Sequence, residues 1–213
     1  MADKTITIAR GDDSSPLAIC LENINKTFGS LQANRDVCLS VVPGTIHGII
    51  GENGAGKSTL VSILYGFYNA DSGTVAISGE PVRLRSSADA IAAGIGMVHQ
   101  HFMLVPNFTV LENIILGHEG GSDLKAGARQ AQASLKGITE RYGLSVDLKA
   151  AVQDLPVGLQ QRVEILKALY RGARILILDE PTGVLTPQET DQLFDILRTL
   201  KVQGVTILLI THK

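Results

Sequence analysis

Residues 51–59 read GENGAGKST, which sets Gly51, Gly56, Lys57 and Ser58 in the spacing G-x-x-x-x-G-K-[ST]. The chemistry that needs this spacing is the holding of phosphate. Glycines let backbone N–H groups turn inward as a nest, here across Asn53, Gly54, Ala55 and Gly56, and the helix that follows adds the partial positive charge of its N-terminus. Lys57 is placed to reach the β- and γ-phosphates of a nucleotide and the Ser58 hydroxyl to ligate Mg²⁺, with Thr59 next in line for an α-phosphate oxygen. The motif also has the context it requires, a strand-like TIHGII before it and a helical GKSTLVSILYGF after it. The alternative is a glycine turn at a helix start that binds nothing.

A second constellation is ILILDEP at 175–181, four aliphatic residues followed by two carboxylates. A buried strand ending in Asp179 delivers that carboxylate to the C-terminal edge of a parallel sheet, where ligands of such sheets bind. Asp179 is then placed to help hold Mg²⁺, and Glu180 to polarise an attacking water as general base. The competing reading is a strand that merely ends in solvated charges.

Both motifs need a sheet to carry them. Strand-like segments fall at 17–24, 36–42 and 45–50, then near 74–78 and 81–84 around an SGE turn, and a helix at about 86–93 leads into IGMVHQ. From about 101 to 172 the pattern is amphipathic-helical, at 109–117, about 124–142 and 159–171, with GHEGGSD between the first two. Strand and helix alternation returns with ARILILDEP, a helix across 187–201 and a last strand VTILLI. This order predicts an α/β fold with a largely parallel sheet, into which the helical interval is inserted. Residues 1–15 read as a polar tail and 16–213 as one domain.

Bulk composition narrows the class. With 19 basic against 21 acidic residues there is no nucleic-acid footprint and no polybasic membrane anchor. The absence of Trp argues against stacking platforms for single strands. Cys20 and Cys38 lack metal or redox spacing and sit in strand-like runs, as small buried hydrophobes in a reducing compartment do. No apolar run approaches the roughly 18 residues needed to span a bilayer. A soluble chain is expected, reaching a membrane only through a partner.

Taken together, these features resemble the nucleotide-binding domain of ABC transporters. Gln100, at the end of IGMVHQ, falls at that family's Q-loop glutamine, and His212, after VTILLI, at its switch histidine. Phe28, in NKTFGS, matches the aromatic that stacks on adenine, although ordinary core packing is an equal reading of a phenylalanine there. LPVGLQQRVEI at 155–165 stands where the family signature L-S-G-G-Q-Q-Q-R precedes the acidic strand. The resemblance implies a P-loop NTPase (RecA-like) core, an antiparallel β subdomain and a helical subdomain at about 101–172. It implies ATP and Mg²⁺ as ligands, with Gln100 near Mg²⁺ and the attacking water, and His212 near the γ-phosphate. The guanine motif N-K-x-D is absent, since NKTF has Phe in place of Asp and precedes the phosphate loop.

GIGMVHQHFMLVPNFTVLENIILG and LKALYRGARILILDEPTGVLTPQE look like the ATPase of simple-sugar importers, above all the nucleoside-importing branch fed by a solute-binding lipoprotein. Expected partners are transmembrane permease subunits, gripped by the segment after Gln100, and a second ATP-binding domain, at the cytoplasmic side of the membrane. The chain stops one residue after His212, so it resembles the first of two cassettes, truncated. The alternatives are a soluble translation-factor-like ATPase of the family and a nucleotide-binding regulator that never hydrolyses.

In the family, the signature serine of one domain donates its hydroxyl to the γ-phosphate held by another. Here Pro156 stands at that serine, Leu159 at the first glutamine and Thr186 where many members have Asp, while Gly158, Gln160, Gln161 and Arg162 remain. Proline is tolerated at a helix start because that N–H has no intrahelical acceptor. The lost hydrogen bond to a charged group is worth about 1.5–3 kcal/mol, roughly 10- to 100-fold in affinity or rate. The helix dipole and the Gly158 N–H are expected still to favour a phosphate. The chain is therefore expected to be fully equipped on its phosphate-loop side and weakened on the face it offers a partner's ATP.

Overall fold

Strand side chains alternate between two faces, and in the centre of this protein both faces are apolar. The computed structural model describes residues 16–118 and 124–212; the polar segment 1–15 and most of the GHEGGSD loop lie outside them. In β7 (Ile175–Asp179), Ile175 and Ile177 enter one hydrophobic cluster while Leu176 and Leu178 enter another. In β8 (Thr206–Thr211), Leu208 and Ile210 face the first cluster and Ile207 the second. Strands covered on both sides read as continuous aliphatic runs, which is why ILILD and ILLI carry no polar alternation.

β7 and β8 lie inside a wholly parallel sheet of order β3-β8-β7-β6, completed by β3 (Ile46–Ile50) and β6 (Ile95–Val98). The first cluster also draws on α1 (Lys57–Leu64), α2 (Ser87–Ala92) and an antiparallel sheet of order β2-β1-β4-β5. That sheet is built from β1 (Ile19–Phe28), β2 (Leu31–Val41), β4 (Ser72–Ile77) and the short β5 (Glu80–Pro81). The second cluster is roofed by α3 (Val110–Ile115), α4 (Leu124–Tyr142), α5 (Val157–Tyr170) and α6 (Pro187–Val202). The 101–172 interval thus shares its core with the second face of the parallel sheet. Contact with α5 is close: a Cβ on Gly96 of β6 would stand 2.8 Å from the Ala168 Cβ.

Helix starts follow local chemistry. Thr109 with Glu112, and Thr186 with Glu189, form capping boxes at α3 and α6, and Pro187 opens α6 with its fixed φ. α5 differs, since its N-cap is Pro156, which has no side chain able to cap it. Asn113, 1 % exposed, pins the segment before α3 by accepting from the Val105 N–H (2.7 Å) and donating to the Val105 and Thr109 carbonyls.

Some boundaries depart from expectation. β1 and β2 form one long hairpin through 25–35, and the strand expected at 81–84 is only Glu80–Pro81. The cysteines are not buried hydrophobes: Cys38 is exposed, Cys20 half-buried, and both are free thiols on the antiparallel sheet, where Cys38 Sγ accepts the Asn23 N–H at 3.4 Å. β3 is an edge strand with Ile46 and Ile50 exposed, Ile50 at 71 %. Among the described residues no helix is long and apolar enough to cross a membrane.

Ile177 lies at 0 % exposure in the central strand. Ile177→Ala is expected to lower unfolding free energy by about 2–5 kcal/mol, measured by chemical denaturation with the m-value unchanged.

Candidate functional site

Strand register alone assembles the site. Ile50 pairs with Thr211 and Asp179 pairs with Ile210, so the chain leaves β3, β7 and β8 at one edge of the parallel sheet. Gly51, Glu180 and His212 are the first residues past that edge. The cleft there has a volume of about 500 Å³. Its walls include Asn53 to Thr59 of the phosphate loop, Phe28, Gln100, Asp179, Glu180 and His212. Of the residues expected to contact ATP, Mg²⁺ or the attacking water, the cleft therefore gathers all but Gly51 and Gly158. The Gly51 carbonyl accepts from the Lys57 ammonium, and Gly158 lies at the start of α5 against Glu189.

The phosphate loop turns on glycine. Gly54 and Gly56 have φ of 81° and 84°, and a Cβ on Gly56 would lie 2.3 Å from the Ala33 carbonyl oxygen. Any other residue at 56 would collide with β2. The Lys57 ammonium folds back over the loop, donating to the Gly51 and Glu52 carbonyls; of its three donors one remains for an incoming anion. Beneath the loop, the buried Asn34 amide donates to the Gly56 carbonyl at 3.1 Å. Asn34 was not marked by the sequence, because no local pattern tells a buried strut from a loop asparagine.

Two carboxylates, Asp179 and Glu180, line the cleft beside the loop. Burial first, then the neighbouring Glu180 charge, push the Asp179 carboxyl above the ordinary aspartate range, against the opposing pull of His99 and Lys57. A carboxylate in that position is relieved by a cation. Asp179, Ser58 and Gln100 together offer oxygen donors of the kind a hard ion such as Mg²⁺ takes. Among the described residues no group of three or more His, Cys, Asp or Glu forms a preformed metal cage. Glu180 has φ 48°, a left-handed backbone that costs a non-glycine residue roughly 1–3 kcal/mol. Its N–H donates to the Ile210 carbonyl at 3.0 Å, which holds that turn against β8. Its Oε2 stands 2.6 Å from His212 Nδ1, so carboxylate and imidazole orient each other. Phe28 is 39 % exposed, edge-on to Tyr68 at 5.1 Å, which rules out an ordinary core position.

The α5 face departs from expectation. The Gly158 N–H is not open to an outside phosphate; it donates to Glu189 Oε1 at 3.1 Å. Gln161, 3 % exposed, turns inward and donates to the Pro181 carbonyl at 2.8 Å, tying α5 to the turn that carries Glu180. Further along α5, a second cavity of about 140 Å³ is lined by Tyr65, His99, Glu164, Lys167 and Arg171. Burial raises the Glu164 carboxyl and lowers the Lys167 ammonium, pushing both toward neutrality although Lys167 Nζ lies 3.9 Å from Glu164 Oε1. Lys167 also donates to the Met103 carbonyl at 2.9 Å, so α5 holds the segment that follows Gln100. These long-range contacts have no local signature in VEILKALYR.

A glycine-rich loop between strand and helix, facing two acidic residues at the edge of a parallel sheet, defines a P-loop NTPase. The model of the ABC transporter family matches residues 34–183, and the chain belongs to that family. It is 51 % identical, over 90 % of its length and 38 % of the relative's, to a nucleoside import ATP-binding protein of Lactococcus lactis. It is 50 % identical, over 91 % of its length and 40 % of the relative's, to a glucose import ATP-binding protein of Haloferax volcanii. The chain thus spans about two fifths of the length of these curated relatives. Among solved structures, the ADP conformation of an ATP-binding cassette of an ABC transporter superposes with a TM-score of 0.82 at 30 % identity, covering 94 % of this chain and 82 % of that one.

Because the folded chain holds the Asp179 proton more tightly than the unfolded chain does, the native state binds more protons between the two pKa values and stability falls as pH rises through them. Asp179→Asn is therefore expected to raise the denaturation midpoint at pH 7 in metal-free buffer. The gain should vanish below the ordinary aspartate pKa of about 3.9, as read by denaturant titrations across pH.

Proposed function

We propose that this chain is the ATP-binding and hydrolysing part of an ABC importer for nucleosides or simple sugars. In this reading it works at the cytoplasmic face of the membrane with transmembrane permease subunits and a second ATP-binding domain. An extracytoplasmic solute-binding lipoprotein delivers the solute. The single observation that carries the reading is the convergence of Lys57, Ser58, Asp179, Glu180 and His212 on one cleft at the sheet edge. The similarity to ATP-binding proteins of nucleoside and glucose import supports the solute class.

The reaction is ATP + H₂O → ADP + phosphate. Phe28 takes the adenine face, which its exposure beside the phosphate loop permits. The loop N–H groups and Lys57 hold the phosphates, with Thr59 at the α-phosphate and Gly51 closing the start of the loop. Ser58, Asp179 and Gln100 would hold Mg²⁺, which when bound would supply positive charge against the phosphates. Glu180 Oε accepts the proton of the attacking water, and His212 keeps that carboxylate turned toward the γ-phosphate. Gln100 relays the state of the cleft to the segment 101–105, which α5 grips through Lys167. That segment opens the stretch around 101–120 that is the proposed contact with the permease.

Lys57→Ala is expected to abolish hydrolysis by the full-length protein. Glu180→Gln is expected to keep ATP binding while slowing turnover about 10²- to 10⁴-fold, measured by phosphate release and by equilibrium binding of ATP. Normal turnover in either variant would overturn the assignment.

A further inference from the structure

The geometry points to Glu189 as an intrachain rival of the partner's nucleotide: its carboxylate occupies the N–H of Gly158 at the start of α5, and it must leave before a triphosphate held by a second cassette can dock there. This inference rests on the two-cassette ATP reading proposed above.

Four observations converge on it. The N-terminal turn of α5 has few donors, because Pro156 has no N–H and the Leu159 and Gln160 N–H groups both return to the Pro156 carbonyl at 3.0 Å, which leaves the N–H groups of Val157 and Gly158. Of these two, the Gly158 N–H is taken by Glu189 Oε1 at 3.1 Å. The other oxygen, Oε2, is fixed by the Thr186 N–H and Oγ1, both at 2.9 Å, so the carboxylate bridges the starts of two helices. Finally, the carboxylate sits where a side chain at 158 would stand, since a Cβ there would lie 2.8 Å from Oε1 and would push it aside.

The sequence departures of this face fit one device. Pro156 removes the hydroxyl that would attract a phosphate, and Thr186 supplies the two donors that aim Glu189 at α5. Donation from Thr186, then from Gly158, holds the Glu189 carboxyl below the ordinary glutamate range, so the contact is anionic at neutral pH. An anion at a helix N-terminus is favourable, and a second anion cannot take the same amide without displacing the first. Closure over the partner's nucleotide therefore requires more ATP than an unobstructed signature face would.

Glu189→Gln removes the charge and keeps the α6 capping box, which accepts Glu or Gln at that position. Glu189→Ala removes the acceptor as well, in case the Gln amide oxygen retains the Gly158 bond. Both are to be made in the full-length protein on the Glu180→Gln background, with ATP-driven closure of the two cassettes followed by fluorescence energy transfer. ATP affinity of the phosphate loop is measured separately. The expected result is a three- to tenfold fall in the ATP concentration for half-closure, with phosphate-loop affinity unchanged within twofold. An unchanged or increased half-closure concentration, in a chain that binds ATP normally, overturns the role of Glu189 alone. Failure of the parent protein to bind ATP overturns the ATPase reading and this inference with it.

Discussion

Parallel pairing of β3, β8 and β7 is the constraint on which everything else in the molecule depends. Once Ile50 sits opposite Thr211 and Asp179 opposite Ile210, three segments far apart in sequence must leave the sheet side by side. The sheet holds this register because its strands are apolar on both faces, and a slip of one residue would exchange every contact of Ile175 and Ile177 with those of Leu176 and Leu178. Chemistry at the edge is thus a by-product of packing in the middle.

At that edge, local strain and global packing are matched. Glu180 is held in a left-handed turn by one hydrogen bond to β8, and Gly56 is pressed against the backbone of β2 so closely that no side chain fits. Asp179 is partly stripped of water beside a second carboxylate. Each of these states is unfavourable by itself and is maintained by the surrounding sheet, an arrangement suited to receiving a polyanion with its cation. α5 adds a mechanical link, because Gln161 reaches the Pro181 carbonyl while Lys167 reaches Met103, joining the turn that carries Glu180 to the segment beyond Gln100.

Much of this was legible in the sequence, for physical reasons. Strands buried on both faces leave uninterrupted aliphatic runs, and a phosphate cradle needs glycine and lysine at fixed offsets, so the parallel sheet and the cleft residues could be read from GENGAGKST, ILILDEP and VTILLI. The β1–β2 hairpin was harder to bound. Register shifts between Leu21 and Thr27, with positive φ at Asn23 and Asp36, break the alternation that marks a strand. Contacts closed through space were not legible at all. Nothing near Gly158 announces Glu189, and nothing in VEILKALY separates an ionic cluster that grips Met103 from an ordinary amphipathic face.

The outer flank of β3 carries its own consequence. Among the described residues only β8 pairs with this strand, and the isoleucines at its two ends face water. A row of peptide groups without sheet neighbours, set beside bare aliphatic surface, is a template on which another extended segment can zip. An extended segment that added to the parallel sheet would therefore join it at this flank, at the side of the sheet rather than across the nucleotide cleft.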